Sequence, residues 1–475
     1  MITRTWMRAN AAIAVFAGLT LRIFFVLRFP ATGSGDSPFY IQLAWNWLKN
    51  GTYGAVINGQ LLPLDTRVPG YPAFLGALFA VAGNSQRVVM FTQVVVDLAT
   101  CLLIAMIAAQ LAPADSRRRV AVAAVWLAAL CPFTANYTAV VLTETLVTFL
   151  TALGLLLILE AYVQEFTQRP ISSNRLVISP WFLAGIIGGF GALVRPETPL
   201  LFVAAAIVLL ARWRRPRDWP KLATTGMLMG IGLVLPLLPW AARNWSSLHE
   251  VQFLAPRYAN LPGEFVPLGF NAWARTWLWR YGDVYLTLWK LEDEPIPPES
   301  IPPRAFDSPQ ERKRVAALLT PYNDTLTPTP EMDRGFAEIA RERTARHPLR
   351  THIEIPLLRS LAMWFTPRIE LLPVSGEVVP LRSEWQYDRE DLLVTLMLFV
   401  LNGAYVGLGL VGAWITRGRC GWALLVVFIL LRTSFFAILI ETPEPRYMLE
   451  CFPAVIALAA QVFGARNQLS SSGSG

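Results

Sequence analysis

Histidine and cysteine are scarce in this sequence, with three of the first and four of the second among 475 residues. His249, His347 and His352 form no metal pattern with nearby carboxylates. Cys101, Cys131 and Cys451 fall inside apolar runs and Cys420 at the end of one, so neither a disulfide framework nor a cysteine metal site is expected. Charged residues amount to only 16%, and neither a phosphate-binding loop motif nor a serine nucleophile elbow is present. Nucleotide-driven chemistry is therefore not expected. Strand alternation long enough for an appended β-domain is missing too, as is any internal repeat of fixed period.

What the chain has in abundance is apolar residue. A hydrophobic content of 54% and a mean hydropathy of +0.43 describe a protein whose main solvent is lipid, an all-α polytopic membrane protein. A formal net charge of +8 would suggest nucleic acid in a soluble protein. Here the basic residues bunch in short links between apolar runs, where they act as topology signals, and no nucleic-acid partner is expected. Runs of spanning length cover residues 10 to 29, 86 to 111, 120 to 136, 139 to 162, 180 to 195, 198 to 212, 222 to 241, 392 to 416, 421 to 440 and 447 to 465, which makes about ten crossings. The first contains Arg22 and no cleavage site follows it, so it reads as a retained anchor.

With Arg4, Arg8 and the amino terminus in the cytoplasm, Arg117 to Arg119, then Arg169 and Arg175, then Arg212 to Lys221, then Arg417 and Arg419 all fall inside. Counting the short segment "PGYPAFLGALFAVAG", residues 69 to 83, as a crossing would place the later clusters outside; it reads as a re-entrant or interfacial helix. The predicted organisation is a membrane module over residues 1 to 242 with a first outer loop at 30 to 85. A large outer, mostly helical cap follows over 243 to 390, with Thr329 as an N-cap and Pro330 at the first helical position. Carboxy-terminal crossings occupy 391 to 466, and 467 to 475 is a linker-like tail.

Chemistry gathers at the outer side of this plan. "GDSPFYIQLAWNWLKNG" predicts an aromatic helix lying in the headgroup region, whose start places Asp36 at the water-lipid boundary. The plain alternative is that Asp36 or Ser37 caps the helix. Arg67 stands beside a Pro-Gly-Tyr-Pro turn, an ordered location for a phosphate ligand. Arg195, Arg243 and Arg446 also fall where segments meet the outer face, against the positive-inside rule, which points to an anion outside. Their alternative is pairing with Glu197, Glu441 or Glu444, or with headgroup phosphates. Glu144 lies about two turns inside the fourth crossing. Asp97, Arg22 and Arg432 lie deeper and are read as mutual pairs that fasten helices.

An acidic residue after the first crossing, an aromatic outer helix, Arg-x-Pro-x-Tyr-Pro, Thr-Glu-Thr-Leu in the fourth crossing, "LVRPE", "PWAARNW" and a late "RYMLECFP" together resemble the GT-C glycosyltransferases. The closest likeness is to the bacterial protein O-mannosyltransferases and lipid A aminoarabinose transferases. The resemblance implies a GT-C fold and inverting transfer of a sugar from a polyprenyl monophosphate to a hydroxyl, at the periplasmic face of a bacterial inner membrane. By it, Asp36 is the catalytic base and Glu144 a second acidic group. Arg67, Arg243 and Arg446, with Tyr447, hold the donor phosphate. Tyr40, Tyr71, Arg195 and Glu197 are further substrate-side candidates. No cofactor is required by a lone-base scheme, and a divalent metal stays open. Many relatives carry a second acidic residue after the first-loop aspartate, where Ser37 stands here, and the cap lacks a β-trefoil insert. Both departures favour a lipid or glycan acceptor over a protein. The rival readings are an O-antigen ligase or polymerase using a diphosphate carrier, and a flippase for a lipid-linked anion with Asp97, Arg22 and Arg432 as a midplane relay.

Overall fold

A chain in hydrocarbon must satisfy its backbone internally, and a long apolar run does so as a helix. The computed structural model describes residues 4–31, 33, 35–167, 179–258, 261, 264–366, 372 and 381–467, and these are helical nearly throughout. Helix α1 (Arg4–Arg28) leads to α2 (Ser37–Asn50), a hairpin of β1 (Gly54–Ile57) and β2 (Gln60–Pro63), and α3 (Gly70–Ala82). Then follow α4 (Gln86–Leu111), α5 (Arg117–Ala129), the short α6 (Pro132–Ala135), α7 (Glu144–Thr167), α8 (Pro180–Val194), α9 (Leu200–Arg212), α10 (Trp219–Val234) and α11 (Leu238–Leu248). The region expected as a cap contains α12 (Leu268–Arg275), α13 (Gly282–Leu286), α14 (Pro309–Thr325), α15 (Pro330–Arg346), α16 (Ile355–Phe365) and α17 (Leu381–Tyr387). Helices α18 (Arg389–Ile415), α19 (Trp422–Leu439) and α20 (Phe452–Ala459), the last flanked by 3-10 turns, complete the chain.

Among the described residues seven helical segments are long and apolar enough to cross a bilayer, or eight if the pair α5 and α6, bent by 49°, is one span. The two remaining expected crossings are the short helices α8 and α9, of 15 and 13 residues. Helix α3, 13 residues long, measures about 20 Å at 1.5 Å per residue, short of a core about 30 Å thick, as are α8 and α9. The link containing Arg169 and Arg175 lies outside the described residues.

Two local features differ from the sequence reading. The run expected as helix from 139 to 162 is helical only from Glu144. Ala31 donates its N–H to the Ala139 carbonyl at 2.9 Å and bridges to Val140, which holds 140 to 143 in non-helical backbone. Glu144 is thus the first residue of α7, not two turns inside a helix. The second is the hairpin, whose turn residues Asn58 and Gly59 take φ of 50° and 79°, the left-handed pair that a two-residue turn needs.

The main core joins α1, α4, α5, α7 and α20 through residues such as Phe25, Val94, Val125, Leu155 and Phe452. A separate core inside the cap packs Phe270, Trp273 and Trp277 of the α12 region against Tyr322 of α14 and Phe336 of α15. Thr329 caps α15 by accepting from the Met332 N–H at 3.2 Å. Asp333 Oδ1 in turn accepts the first N–H groups of α12, from Gly269 at 2.7 Å and Phe270 at 3.0 Å.

Candidate active site

Four connections converge at one end of the bundle: the start of α2, the segment between β2 and α3, the junction of α8 with α9, and the segment after α19. Asp36 occupies the N-cap position of α2, yet its side chain makes no cap hydrogen bond. Instead Oδ1 accepts from Arg67 Nη2 at 2.9 Å, with the two side chains 35% and 23% exposed. The capping alternative is therefore not how this carboxylate is used. Ser37 does not cap either; it is the first residue of α2, and its buried Oγ has no hydrogen-bond partner.

Arg67 is held by its surroundings. Its guanidinium lies 5.7 Å over the Phe39 ring, and the Tyr53 hydroxyl donates to the Arg67 carbonyl at 2.9 Å. Gly70, three residues on, lets the chain touch α8: a Cβ there would stand 2.5 Å from the Leu193 carbonyl oxygen, so no other residue fits unchanged. That close approach brings the Arg67 segment beside the end of α8, where Arg195 begins.

Arg195 is ringed by carboxylates. Its Nη1 is 3.6 Å from Glu144 and 3.9 Å from Glu450, and its Nε is 3.9 Å from Glu197. All three distances are longer than a good charge-assisted hydrogen bond, so the group is held by field rather than by fixed bonds. Its face lies 5.7 Å from the Tyr447 ring centre. Arg446 meets Glu444 at 2.5 Å, and the Tyr447 hydroxyl donates to the same carboxylate at 2.8 Å. Burial alone would push the Asp36 carboxyl up; the guanidinium of Arg67 opposes it, with Arg446 and Arg195 adding to the effect, and the net result lies below the usual carboxylate range. Burial, then the Asp36 charge, raise the Tyr40 hydroxyl to about 12, so it stays neutral. Tyr40 packs edge-on against Tyr71, whose hydroxyl is committed to Gln93 at 2.8 Å.

The structure thus brings together Asp36, Arg67, Arg195, Arg446, Tyr447, Glu144 and Glu197, with Tyr40 and Tyr71 beside them. It does not bring Arg243 into this group. That guanidinium donates to the carbonyls of Leu64, at 2.8 Å, and Tyr53, and to the Asn244 side chain at 3.0 Å. Arg243 therefore props the strand segment that leads to Arg67. Arg22 and Asp97 form the expected deep pair at 2.6 Å, with Arg22 also donating to Gly18, Ala129 and Ala128 carbonyls. The sequence reading placed Arg432 with them; instead it pairs with Glu450 at 2.5 Å. Glu450 was missed, although a carboxylate inside an apolar run is a signal in itself. Between Asp97 and Glu144 lies a cavity of about 10 Å³, room for one water. Among the described residues no three histidine, cysteine or acidic side chains converge to hold a metal ion.

Comparison with known proteins matches this geometry to a fold. The profile of the dolichyl-phosphate-mannose-protein mannosyltransferase family matches residues 66–240, less than half of the chain. No curated protein sequence matches the chain significantly. Among solved structures, the oligosaccharyltransferase AglB from Archaeoglobus fulgidus, in complex with an inhibitory peptide and a dolichol-phosphate, aligns with a TM-score of 0.52 at 14% identity over 98% of this chain and 51% of its own. The same oligosaccharyltransferase tethered to an acceptor peptide aligns at 0.51 and 14% identity, over 97% of this chain and 50% of its own. The arabinosyltransferase EmbB from Mycobacterium smegmatis gives 0.35 at 13% identity over 98% and 42% of the two chains, an overlap that does not establish a shared fold. The chain spans about half the length of the oligosaccharyltransferase it matches. Its fold is that of the GT-C glycosyltransferases, in a multi-pass membrane protein.

Proposed function

We propose that the chain is an inverting glycosyltransferase that moves a monosaccharide from a polyprenyl monophosphate to a hydroxyl of a lipid or glycan acceptor at the periplasmic face of the inner membrane. The observation that carries this reading is the Asp36–Arg67 ion pair at 2.9 Å, partly open to solvent and flanked by Arg195 and Arg446. A polyprenyl chain cannot leave the bilayer, since each buried methylene contributes about 0.8 kcal/mol, so its phosphate has to be met where the spans end.

The chemistry asks for one base and several cations. The acceptor oxygen attacks the anomeric carbon while the bond to the phosphate oxygen breaks, and the leaving phosphate monoester needs no proton because it is already a stable anion. Asp36 takes the proton from the acceptor hydroxyl. Arg67 stabilises the charge that grows on the phosphate, with Arg446 and Arg195 next to it. A carboxylate tied to a guanidinium is a weak base, and the incoming phosphate competes for that guanidinium. Donor binding therefore releases Asp36 for its task, so the base becomes active only with the sugar in place.

The test is transfer from a purified polyprenyl-phosphate monosaccharide by the full chain in detergent. Turnover that is lost in Asp36→Asn is expected. Wild-type rates in Asp36→Asn, or lipid translocation without transfer, would overturn the reading.

A further inference from the structure

A second group of guanidinium groups lies outside the site just described, at the carboxyl end of α19. Arg257 and Arg275 both donate to the Leu439 carbonyl, at 2.8 and 2.7 Å, and both face Glu441, at 3.5 and 2.8 Å. Arg359 on α16 reaches the same place from beneath, donating to the carbonyls of Leu278 at 2.7 Å and Ile440 at 3.2 Å. Tyr258 adds a hydroxyl 3.4 Å from Glu441 and lies under the Arg257 guanidinium.

Charge counting separates a helix cap from a binding site. The end of a helix offers about half a negative charge and is satisfied by one cation. Glu441 supplies one more. Three guanidinium groups against that total leave an excess of about one and a half positive charges in a partly buried basin. Donors remain unspent there: Arg359, only 2% exposed, has Nη2 without a partner, and Arg275 has Nε without one. Burial, with the Arg275 charge beside it, holds Arg359 down at about 10, a sign of the same under-neutralised surroundings. Arg257 is 53% exposed and opens the basin to solution.

We infer that the basin formed by Arg257, Arg275 and Arg359 around Glu441 is a phosphate-binding site, separate from the Asp36 site, for a phosphate-bearing amphiphile. Its place favours such a ligand. The basin is at the end of a membrane-spanning helix, where lipid headgroups lie. Glu441 is also only five residues from Arg446, a span of at most about 18 Å of extended chain. Thr442, between them, hydrogen-bonds both Glu444 at 3.2 Å and the Tyr447 hydroxyl at 3.1 Å. An amphiphile held by its phosphate at the basin would lie against the same segment that carries Arg446 and Tyr447.

The experiment uses the full chain in detergent with Arg67→Gln as background, which weakens phosphate binding at the first site. Inorganic phosphate is expected to raise the thermal midpoint saturably in that background. Arg257→Gln with Arg275→Gln should weaken the apparent affinity by about tenfold or more, the loss of at least one charge-assisted hydrogen bond. Should the double variant fail to fold, Arg257→Glu alone, at the open position, should abolish the response. In parallel, the protein is reconstituted in phosphatidylcholine vesicles with phosphatidylglycerol, extracted, and weighed by native mass spectrometry. Retained phosphatidylglycerol that is lost in the variants identifies a bound headgroup; a phosphate response without retained lipid identifies the phosphate of a substrate. An unchanged phosphate response and unchanged lipid retention in the variants would overturn the inference. None of these readouts needs sugar transfer, so the outcome is independent of the donor reading.

Discussion

The tension around Asp36 is that Arg67 keeps its carboxylate ionised and for the same reason makes it a weak base. Separate roles for the two side chains give separate kinetic signatures. Asp36→Asn should lower kcat by about 10²–10⁴-fold with the donor KM within a few fold, because it removes proton transfer and leaves the cations in place. Arg67→Ala should raise the donor KM strongly, and steady-state kinetics with a polyprenyl-phosphate monosaccharide checks both; an equal loss of donor affinity in the two variants contradicts the division. The pH dependence follows from the depressed Asp36 carboxyl. The base works when deprotonated, so kcat/KM should fall only as pH drops below the usual carboxylate range. In the donor complex the phosphate neutralises Arg67 and the carboxyl rises, so the acid limb of kcat should lie at higher pH than that of kcat/KM. Arg67→Gln should move the kcat/KM limb upward, toward that of kcat; coincident limbs in the wild type would contradict displacement of the ion pair.

Helices here are joined at a few polar rivets and close approaches. Arg22, with Asp97 and the Ala129 carbonyl, ties α1 to α4 and α5. Arg22→Met leaves a buried carboxylate alone and should cost about 3–5 kcal/mol, whereas Arg22→Met with Asp97→Leu should recover most of it, as read by thermal unfolding in detergent. Gly70 is the rivet without charge. Gly70→Val should separate the Arg67 segment from the end of α8, lowering turnover by more than tenfold, roughly, for a modest loss of stability of about 1–3 kcal/mol. The long apolar helices were legible from hydropathy because length in lipid leaves no other choice, whereas α8 and α9 are shorter than a full crossing. Their ends were less so. The break before Glu144 comes from a backbone bridge between residues 31 and 140, more than a hundred positions apart, which no local pattern announces. The hairpin was missed because its four-residue strands are too short to stand out by alternation, although Asn58-Gly59 is a turn signal. Asp36, Arg67 and Arg446 stood out because ionisable groups at the ends of apolar runs need a reason. Arg243 carried the same signal, and its reason proved to be backbone carbonyls, which a sequence does not display.

Across the protein, the spans share one large core, and the helices from α12 to α15 hold a second, aromatic core of their own. The proposed reaction needs only Asp36 as base and guanidinium groups as counter-charges, so turnover should survive chelation by EDTA; a strict need for a divalent ion would call for a different scheme. The membrane class was readable from composition, and spacing placed Arg67, Arg195 and Arg446, though not Arg243, where the folded chain brings them together. The second basin at Glu441 was not readable, since Arg257 and Arg275 meet Arg359 and Glu441, more than eighty residues further along the chain, only once it folds.

One dimension of the bundle reaches beyond the protein. Helices α8 and α9, at 15 and 13 residues, span only about 22 and 20 Å, well short of the hydrocarbon thickness of about 30 Å. Lipid packed against that flank has to pinch inward, and a dimple in the leaflet would draw headgroups and water down toward Arg195. Acyl-chain length then becomes a control on the proposed transfer: reconstituted in thin bilayers it should run faster than in thick ones, with the host membrane serving as the tuning screw.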